Sequence, residues 1–369
     1  FRLDLTLVPA VPPSAPVAPA VVSLEYRIPD RYIVSAVHPP AIRGEESAQP
    51  LAKELMQAPL WQDIWWARRF EIAVLAVMLV GLAGILIFQR AIVARIRFYY
   101  RLRTVYLLLT FVFLGLIANA QLSVVNVLTF FHALLSGFRW ELFLLDPMVF
   151  ILWGFVAVSM LFWGRGVFCG WLCPFGALQE LINALARRIG IRQIELPFEL
   201  HERLWMIKYV VFLVIFAVSF SSIMAAFGLA EIEPFKTAIT MKFMRNWQFV
   251  AYAAALLAVG VFIERFFCRY FCPLGAALAI PARMRMFEWL KRYRECGNEC
   301  HICARRCTVQ AIHPLGQINP NECIHCLKCQ ANYYDPNVCI HVKRRIERRN
   351  PRTGPPTVVA SSRGSTNVS

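Results

Sequence analysis

The chain has 369 residues, and its hydrophobic fraction of 58% is far above that of soluble globular domains. This composition excludes an ordinary soluble protein and indicates an integral membrane protein. The net charge of +16 does not favour nucleic-acid binding, because the arginines form separate clusters after alternate apolar segments instead of one basic patch.

The chain begins at Phe1 with no charged leader and no short apolar core, so we expect it to start partway through a longer protein. Residues 9–20 are rich in proline and alanine, as in an extended linker. A tryptophan-rich stretch near residues 60–70 then suits a membrane interface.

The apolar pattern predicts a mainly α fold with about five transmembrane helices, since about 20 apolar residues cross a hydrocarbon core. The predicted spans are about 71–89, 104–121, 146–164, 205–227 and 247–264. Residues 122–136 are also apolar, but Gln121, Asn126 and His132 interrupt them. We interpret that segment as re-entrant or interfacial.

The loops after the first, third and fifth spans are rich in arginine, which predicts that they are cytoplasmic and that the N-terminal side is periplasmic. The predicted domains are 1–60, the end of a periplasmic domain plus linker; 61–290, the transmembrane domain; 291–345, a double-cluster module; and 346–369, a disordered tail.

A Cys-x3-Cys-Pro motif occurs twice, in "FCGWLCPFGALQE" and "FCRYFCPLGAAL". We expect both copies at the inner face, each followed by an amphipathic helix on the membrane surface, 175–189 in the first copy. The proline fits the first position of that helix. If the repeats pack side by side, four thiols line one redox or metal site, namely Cys169, Cys173, Cys268 and Cys272. The alternative is that these cysteines are buried packing residues.

The C-terminal cysteines are spaced C-x3-C-x2-C-x3-C and C-x2-C-x2-C, which predicts a bacterial-type, ferredoxin-like α+β module with two [4Fe-4S] clusters. In two-cluster ferredoxins the fourth cysteine of one run binds the other cluster. Applied here, one cluster is held by Cys296, Cys300, Cys303 and Cys339, and the second by Cys323, Cys326, Cys329 and Cys307. Thr308 and Ile340 stand where ferredoxins have proline. Zinc favours paired C-x2-C units and disulfides favour an oxidising compartment, so neither fits as well.

These spans, twin motifs and tail resemble the NosR/NirI family, membrane proteins required for nitrous oxide respiration. The most specific parts are the two quoted motifs and "CGNECHICARRC", and the resemblance covers nearly all of residues 60–345. It implies electron transfer that keeps periplasmic nitrous oxide reductase active, an effect on expression of its genes, and a place in the bacterial inner membrane.

The resemblance also implies FMN, attached covalently to a threonine of an upstream periplasmic domain that is absent or mostly absent from these residues. The partners it implies are membrane lipid, nitrous oxide reductase with its maturation proteins, and the quinone pool. No quinone-binding residues can be assigned. Because the clusters and motifs are all predicted at the inner side, nothing is left to carry electrons across the membrane, about 30 Å of hydrocarbon.

Two alternative functions remain open. A quinol dehydrogenase subunit of the NapH type shares the twin motif and the ferredoxin tail, but it usually has four spans. A membrane-tethered transcription regulator would bind zinc through these cysteines and DNA through its basic C-terminus. We expect an electron-transfer component that could oxidise quinol, not a stand-alone enzyme.

Overall fold

The computed structural model describes residues 2–7, 20–25, 60–138, 140–290, 292, 296 and 300–349. The chain divides into two units, Phe1–Pro59 and Leu60–Ser369. In the first unit, strands β1 (Arg2–Leu7) and β2 (Ala20–Glu25) pair antiparallel, with Arg2 opposite Glu25. The rest of the predicted periplasmic segment lies outside the described residues.

The second unit is helical. Its first half contains α1 (Leu60–Ala67), α2 (Arg69–Ile87), α3 (Gln89–Ala94), α4 (Ile96–Leu109), a π-helix (Thr110–Ile117), α5 (Val124–Ser136), α6 (Trp140–Leu144), α7 (Pro147–Phe162), a π-helical turn (Phe168–Leu172) and α8 (Pro174–Ile189).

The second half contains α9 (Phe198–Trp205), α10 (Ile207–Ser221), α11 (Ile223–Leu229), a 3₁₀ turn (Ala230–Ile232), a π-helical turn (Lys236–Thr240), α12 (Trp247–Phe262), α13 (Phe266–Tyr270), α14 (Pro273–Ala279) and a 3₁₀ turn (Pro281–Met284). The tail contains α15 (Ile302–Arg305), α16 (Lys328–Tyr334) and α17 (Ile340–Arg349).

Three helical segments are long and apolar enough to cross a membrane: Arg69–Ile87, Ile96–Ile117 and Phe198–Ser221. They overlap three of the five predicted spans. The other two predicted spans correspond to α7 and α12, which are apolar but only 16 residues long. At about 1.5 Å per residue these two helices measure about 24 Å, less than a hydrocarbon core.

The tail differs in part from the predicted module. In its described part the strand-like pairings are isolated bridges, for example Ile312 with Ile318, so a regular sheet is not seen there. Helix α17 continues to Arg349, into the predicted tail, and residues 350–369 lie outside the described residues.

Glu233 joins two helix starts in the interior. Its buried carboxylate accepts hydrogen bonds from the Ser123 hydroxyl (2.6 Å), from the Val124 amide at the start of α5 (3.1 Å) and from the Leu274 amide at the start of α14 (3.3 Å). Burial nevertheless outweighs these donors and raises the pKa of Glu233 to about 7. The carboxyl group is therefore poised between its two protonation states near neutral pH.

This raised pKa predicts pH-dependent stability. An unfolded glutamate titrates near about 4.3, so the folded state binds the proton more tightly, and this contribution is lost as the pH rises through about 7. We expect the melting temperature of the detergent-solubilised protein to fall between about pH 5 and pH 8. The Glu233→Gln variant should show a weaker fall, whereas the exposed-site variant Glu202→Gln should behave as wild type. Equal slopes in all three proteins would contradict the prediction.

Candidate functional site

The tail cysteines surround two adjoining cavities. The first, about 20 Å³, is lined by the four cysteines predicted for one cluster, Cys296, Cys300, Cys303 and Cys339. The second, also about 20 Å³, is lined by the four predicted for the other, Cys307, Cys323, Cys326 and Cys329. Cys329 borders both cavities. The structure therefore brings together each predicted set of four.

The surroundings of these thiols suit an iron–sulfur cluster. Burial raises the pKa of Cys303 and Cys307 to about 11 and that of Cys323 to about 12, so iron binding has to displace their protons. The amide of His325 donates a hydrogen bond to Cys323 Sγ at 3.4 Å. Within the described residues, no three His, Cys, Asp or Glu side chains converge as the ligands of a single ion.

The two Cys-x3-Cys-Pro motifs meet at a third cavity. It too measures about 20 Å³, and its lining includes all four motif cysteines, Cys169, Cys173, Cys268 and Cys272. The repeats therefore pack so that their thiols face a common space.

The second cysteine of each motif is the N-cap of the helix that follows. Cys173 Sγ accepts a hydrogen bond from the Gly176 amide at 3.4 Å, and Cys272 Sγ accepts one from the Gly275 amide at 3.3 Å. The proline occupies the start of the helix in both copies, which confirms that prediction. Amide donors and the positive end of the helix favour negative charge on these two sulfurs.

An arginine from each repeat reaches into the other. Arg165 donates to the Gly275 carbonyl at 2.8 Å, and Arg265 donates to the Cys169 carbonyl at 2.6 Å. A Cβ atom at Gly275 would lie 3.3 Å from Arg165 Nη1, and one at Gly176 would lie 3.1 Å from Arg265 Nη1. The matching glycines of the two motifs therefore leave room for the crossing guanidinium groups.

The first motif lies against one of the long apolar segments. It runs alongside the apolar segment Ile96–Ile117: near its beginning Tyr99 donates to the Cys326 carbonyl of the tail, and near its end Gly115 packs against Pro174. The two contacts, at Tyr99 and at Gly115, are about 24 Å apart along the helix axis. The second cysteine of the motif, Cys173, is buried.

Helix α8 turns its polar side towards the interior of the protein. Its polar residues Gln179, Glu180 and Asn183 are buried, whereas Leu185 and Ile189 on its apolar side are exposed. The sequence stretch after the second motif does not form a surface helix, because all of α14 is buried. Polar contacts inside and apolar side chains outside are the arrangement expected in lipid.

The tail is seated directly on the first motif. A Cβ atom at Gly170 would lie 1.9 Å from the Ile324 carbonyl oxygen, and one at Gly166 would lie 2.7 Å from the His325 amide nitrogen. Only glycine permits such an approach. The indole of Trp171 donates to the His325 carbonyl at 3.0 Å and fixes the same loop.

Buried ion pairs connect the repeats and the tail, and these were missed at the sequence level. Glu180 pairs with Arg103 (2.9 Å), Arg265 (2.6 Å) and Lys328 (3.3 Å). A second buried carboxylate, Glu322, binds Lys208 and Arg165. The sequence did carry a sign of these ion pairs: Arg103 and Lys208 lie inside apolar segments, where charges are costly and usually paired.

Comparisons with known proteins agree with this arrangement. A family model described as a 4Fe-4S binding domain matches twice, at residues 145–192 and 246–294, around the two motifs. A model described as NosR matches residues 294–350. No solved structure matches the chain.

Three relatives are similar to this chain, each over a different share of its own length. The regulatory protein NosR of Pseudomonas aeruginosa is 56% identical over 309 residues, 82% of this chain and 43% of that protein. NirI of Paracoccus denitrificans is 52% identical over 344 residues, 90% of this chain and 50% of its own. A shorter NosR sequence from P. aeruginosa is 51% identical over 92 residues, 25% of this chain and 92% of its own.

Apolar helices joined to three cysteine-lined cavities define a membrane iron–sulfur protein. Among such proteins, the relatives and the matching models are specific: the chain belongs to the NosR/NirI family, as the motifs predicted. It spans about half or less of the length of the two longer relatives, 43% and 50%.

The ion pairs of Glu180 generate a stability prediction. Glu180→Gln leaves three buried cations without their shared carboxylate, and breaking a buried pair costs about 3–5 kcal/mol. We expect a clear loss of thermal stability in detergent. The matched variant Glu195→Gln, at an exposed site, should melt as wild type. If both variants melt alike, the ion pairs do not stabilise the bundle.

Proposed function

We propose that this chain is the electron-transfer part of a membrane protein that supports, and regulates expression of, periplasmic nitrous oxide reductase in denitrification. The observation that carries the proposal is the pair of adjoining four-cysteine cavities with Cys329 on their common border, in a chain of the NosR/NirI family.

The tail residues would hold two [4Fe-4S] clusters, Cys296, Cys300, Cys303 and Cys339 for one and Cys307, Cys323, Cys326 and Cys329 for the other. Such clusters supply one-electron chemistry. The protein's own contribution is to keep them adjacent and to fix the second on the helical bundle through Trp171 and Tyr99. A fixed separation between clusters favours directed transfer over random collision.

The remaining parts of the proposal concern topology and partners. The arginine-rich loops support a cytoplasmic tail and a periplasmic N-terminal unit. There the upstream domain would carry FMN and meet nitrous oxide reductase and its maturation proteins. Membrane lipid surrounds the exposed apolar side chains of α2, α8 and α10, and the quinone pool would be a further electron partner.

The main alternative is a NapH-type quinol dehydrogenase subunit serving another periplasmic reductase. Covalent FMN on the full-length protein distinguishes the two functions, because the NosR/NirI resemblance implies it and the NapH type does not. A zinc-binding regulator is a third possibility, and it requires zinc in place of iron and sulfide.

The ligand assignment is tested by single substitutions in the anaerobically purified protein. Cys303→Ser and Cys326→Ser should each remove about four irons, one cluster's worth, because each removes a cluster ligand. A bacterium carrying Cys326→Ser in the full-length protein should accumulate nitrous oxide.

His301→Gln is the matched control for these variants. His301 follows Cys300 in the sequence, but it is exposed and its ring contacts the Pro314 carbonyl, so iron content should not change. Wild-type iron content in both cysteine variants would refute the assignment, and normal nitrous oxide reduction with a missing cluster would refute the proposed function.

A further inference from the structure

We propose that a basic cavity between helix α3 and helix α17 of the tail binds the phosphate head group of an anionic phospholipid, and that the bound lipid stabilises the site of the first tail cluster. The lipid binding is independent of the proposed function. The effect on the cluster rests on the proposed function, because it requires iron and sulfide at the tail cysteines.

This fourth cavity is much larger than the three cysteine-lined ones. It measures about 390 Å³, against about 20 Å³ for each of those. Its wall includes three arginines and two tyrosines, namely Arg90, Arg345, Arg349, Tyr333 and Tyr334. A phosphate head group with its glycerol fits a space of this size, whereas a single ion or water molecule would leave most of it empty.

Helix α17 turns one side to the fourth cavity. The wall contains four of its residues, Val342, Arg345, Ile346 and Arg349, and their spacing of three, four and seven places them on one side of the helix. Glu347, the acidic residue of this helix, does not line the cavity. The side that faces the cavity therefore combines apolar and cationic groups, as helices that bind lipid head groups do.

The charge of the wall favours an anion. Arg90 comes from α3, and Arg345 and Arg349 come from α17, so cations from two helices line one space. Among the described residues, the wall contains no aspartate or glutamate. Like charges brought together repel each other, and an anion between them offsets that repulsion. Guanidinium groups bind phosphate oxygens in a bidentate manner, which makes phosphate a well-matched anion.

The position of Arg90 favours a lipid over a soluble anion. It lies three residues after the end of α2, a helix long and apolar enough to cross a membrane. Ile87 and Phe88, which precede it, are 52% and 66% exposed. Basic side chains just beyond the hydrocarbon attract anionic head groups. A bound phospholipid would place its phosphate in the cavity and its acyl chains over Ile87 and Phe88.

The fourth cavity is connected to the first tail cluster site in two ways. Tyr333 lies in the wall of both cavities. Helix α17 begins at Ile340, directly after the predicted ligand Cys339, and the Lys343 amide donates to the Cys339 carbonyl at 3.0 Å. A lipid that holds α17 therefore also restrains Cys339. We expect the bound lipid to slow the loss of iron from that site.

The first test measures lipid binding. The full chain, purified anaerobically in a neutral detergent and freed of lipid, is titrated with phosphatidylglycerol, and bound lipid is counted by native mass spectrometry. Arg90→Gln/Arg349→Gln should bind this lipid on the order of thirtyfold more weakly than wild type, about fivefold for each arginine. Arg95→Gln/Arg348→Gln removes the same charge from exposed positions outside the wall and should bind like wild type. Zwitterionic phosphatidylcholine should bind weakly to all three proteins.

Four results would overturn the lipid site. Equal weakening in the two double variants would show that only net charge matters, and equally tight binding of phosphatidylcholine would show that an anionic lipid is not required. Displacement of the lipid by inorganic phosphate would assign the cavity to a free anion. A soluble acidic ferredoxin that loses binding in Arg90→Gln/Arg349→Gln, while phosphatidylglycerol does not, would assign it to a protein partner. The melting temperature in lipid-free detergent, which these exposed substitutions should not change, is the folding control.

The second test measures the release of iron to a ferrous chelator. Phosphatidylglycerol should slow this release severalfold in wild type and in Cys326→Ser, which keeps the first cluster, but not in Cys303→Ser, which lacks it. The lipid should also have no effect in Arg90→Gln/Arg349→Gln. If the lipid binds and the release rate stays the same, the coupling to the cluster is refuted while the proposed function stands. A wild type without iron and sulfide refutes the proposed function and the coupling, but not the lipid binding measured in the first test.

Discussion

Two buried carboxylates hold this structure together, and each is shared between parts of the chain that are far apart in sequence. Glu180 forms ion pairs with Arg103 of α4, Arg265 of the second repeat and Lys328 of the tail. Glu322 of the tail forms ion pairs with Lys208 of α10 and Arg165 of the first repeat. Charges taken out of water must be paired, so these contacts leave little freedom in how the tail meets the helices. The loop at residues 322–326, which carries cysteines of the second tail set, is held against the helices by the ion pairs of Glu322.

The shared carboxylates also explain why the two motifs face each other. Arg165 and Arg265 each start in one repeat, cross to the backbone of the other and end on Glu322 or Glu180. The glycines that follow the second cysteines ease this crossing, since a methyl group there would be in tight contact with the guanidinium. Duplication of the motif thus produces a paired site, in which neither copy is complete alone.

Part of this arrangement could be predicted from the sequence. Repetition of Cys-x3-Cys-Pro predicted that four thiols could meet, and the proline predicted the helix start at Pro174. The side of α8 that faces inwards could not be predicted in the same way. Periodicity shows that a helix is two-sided, but it does not say whether water or lipid covers the outer side. In water Leu185 and Ile189 would be buried; here they are exposed and Glu180 is inside. Likewise, close approach of Ile324 to Gly170 depends on residues far apart in the chain, for which a single sequence carries no pattern.

The short helices α7 and α12 bear on where the two cysteine pairs lie. Each ends about six residues before the first cysteine of a motif, and each alone measures about 24 Å, less than about 30 Å of hydrocarbon. The chain then turns through the motif and continues as a helix, α8 or α14, whose first turn is buried, so the cysteine pairs lie at the break between two helical pieces. Irregular backbone within a membrane protein is tolerated where protein surrounds it, and such breaks point amides and helix starts at a bound group. The same break that shortens the helices thereby brings the second cysteine of each motif to a helix start, beside the cavity that all four cysteines line.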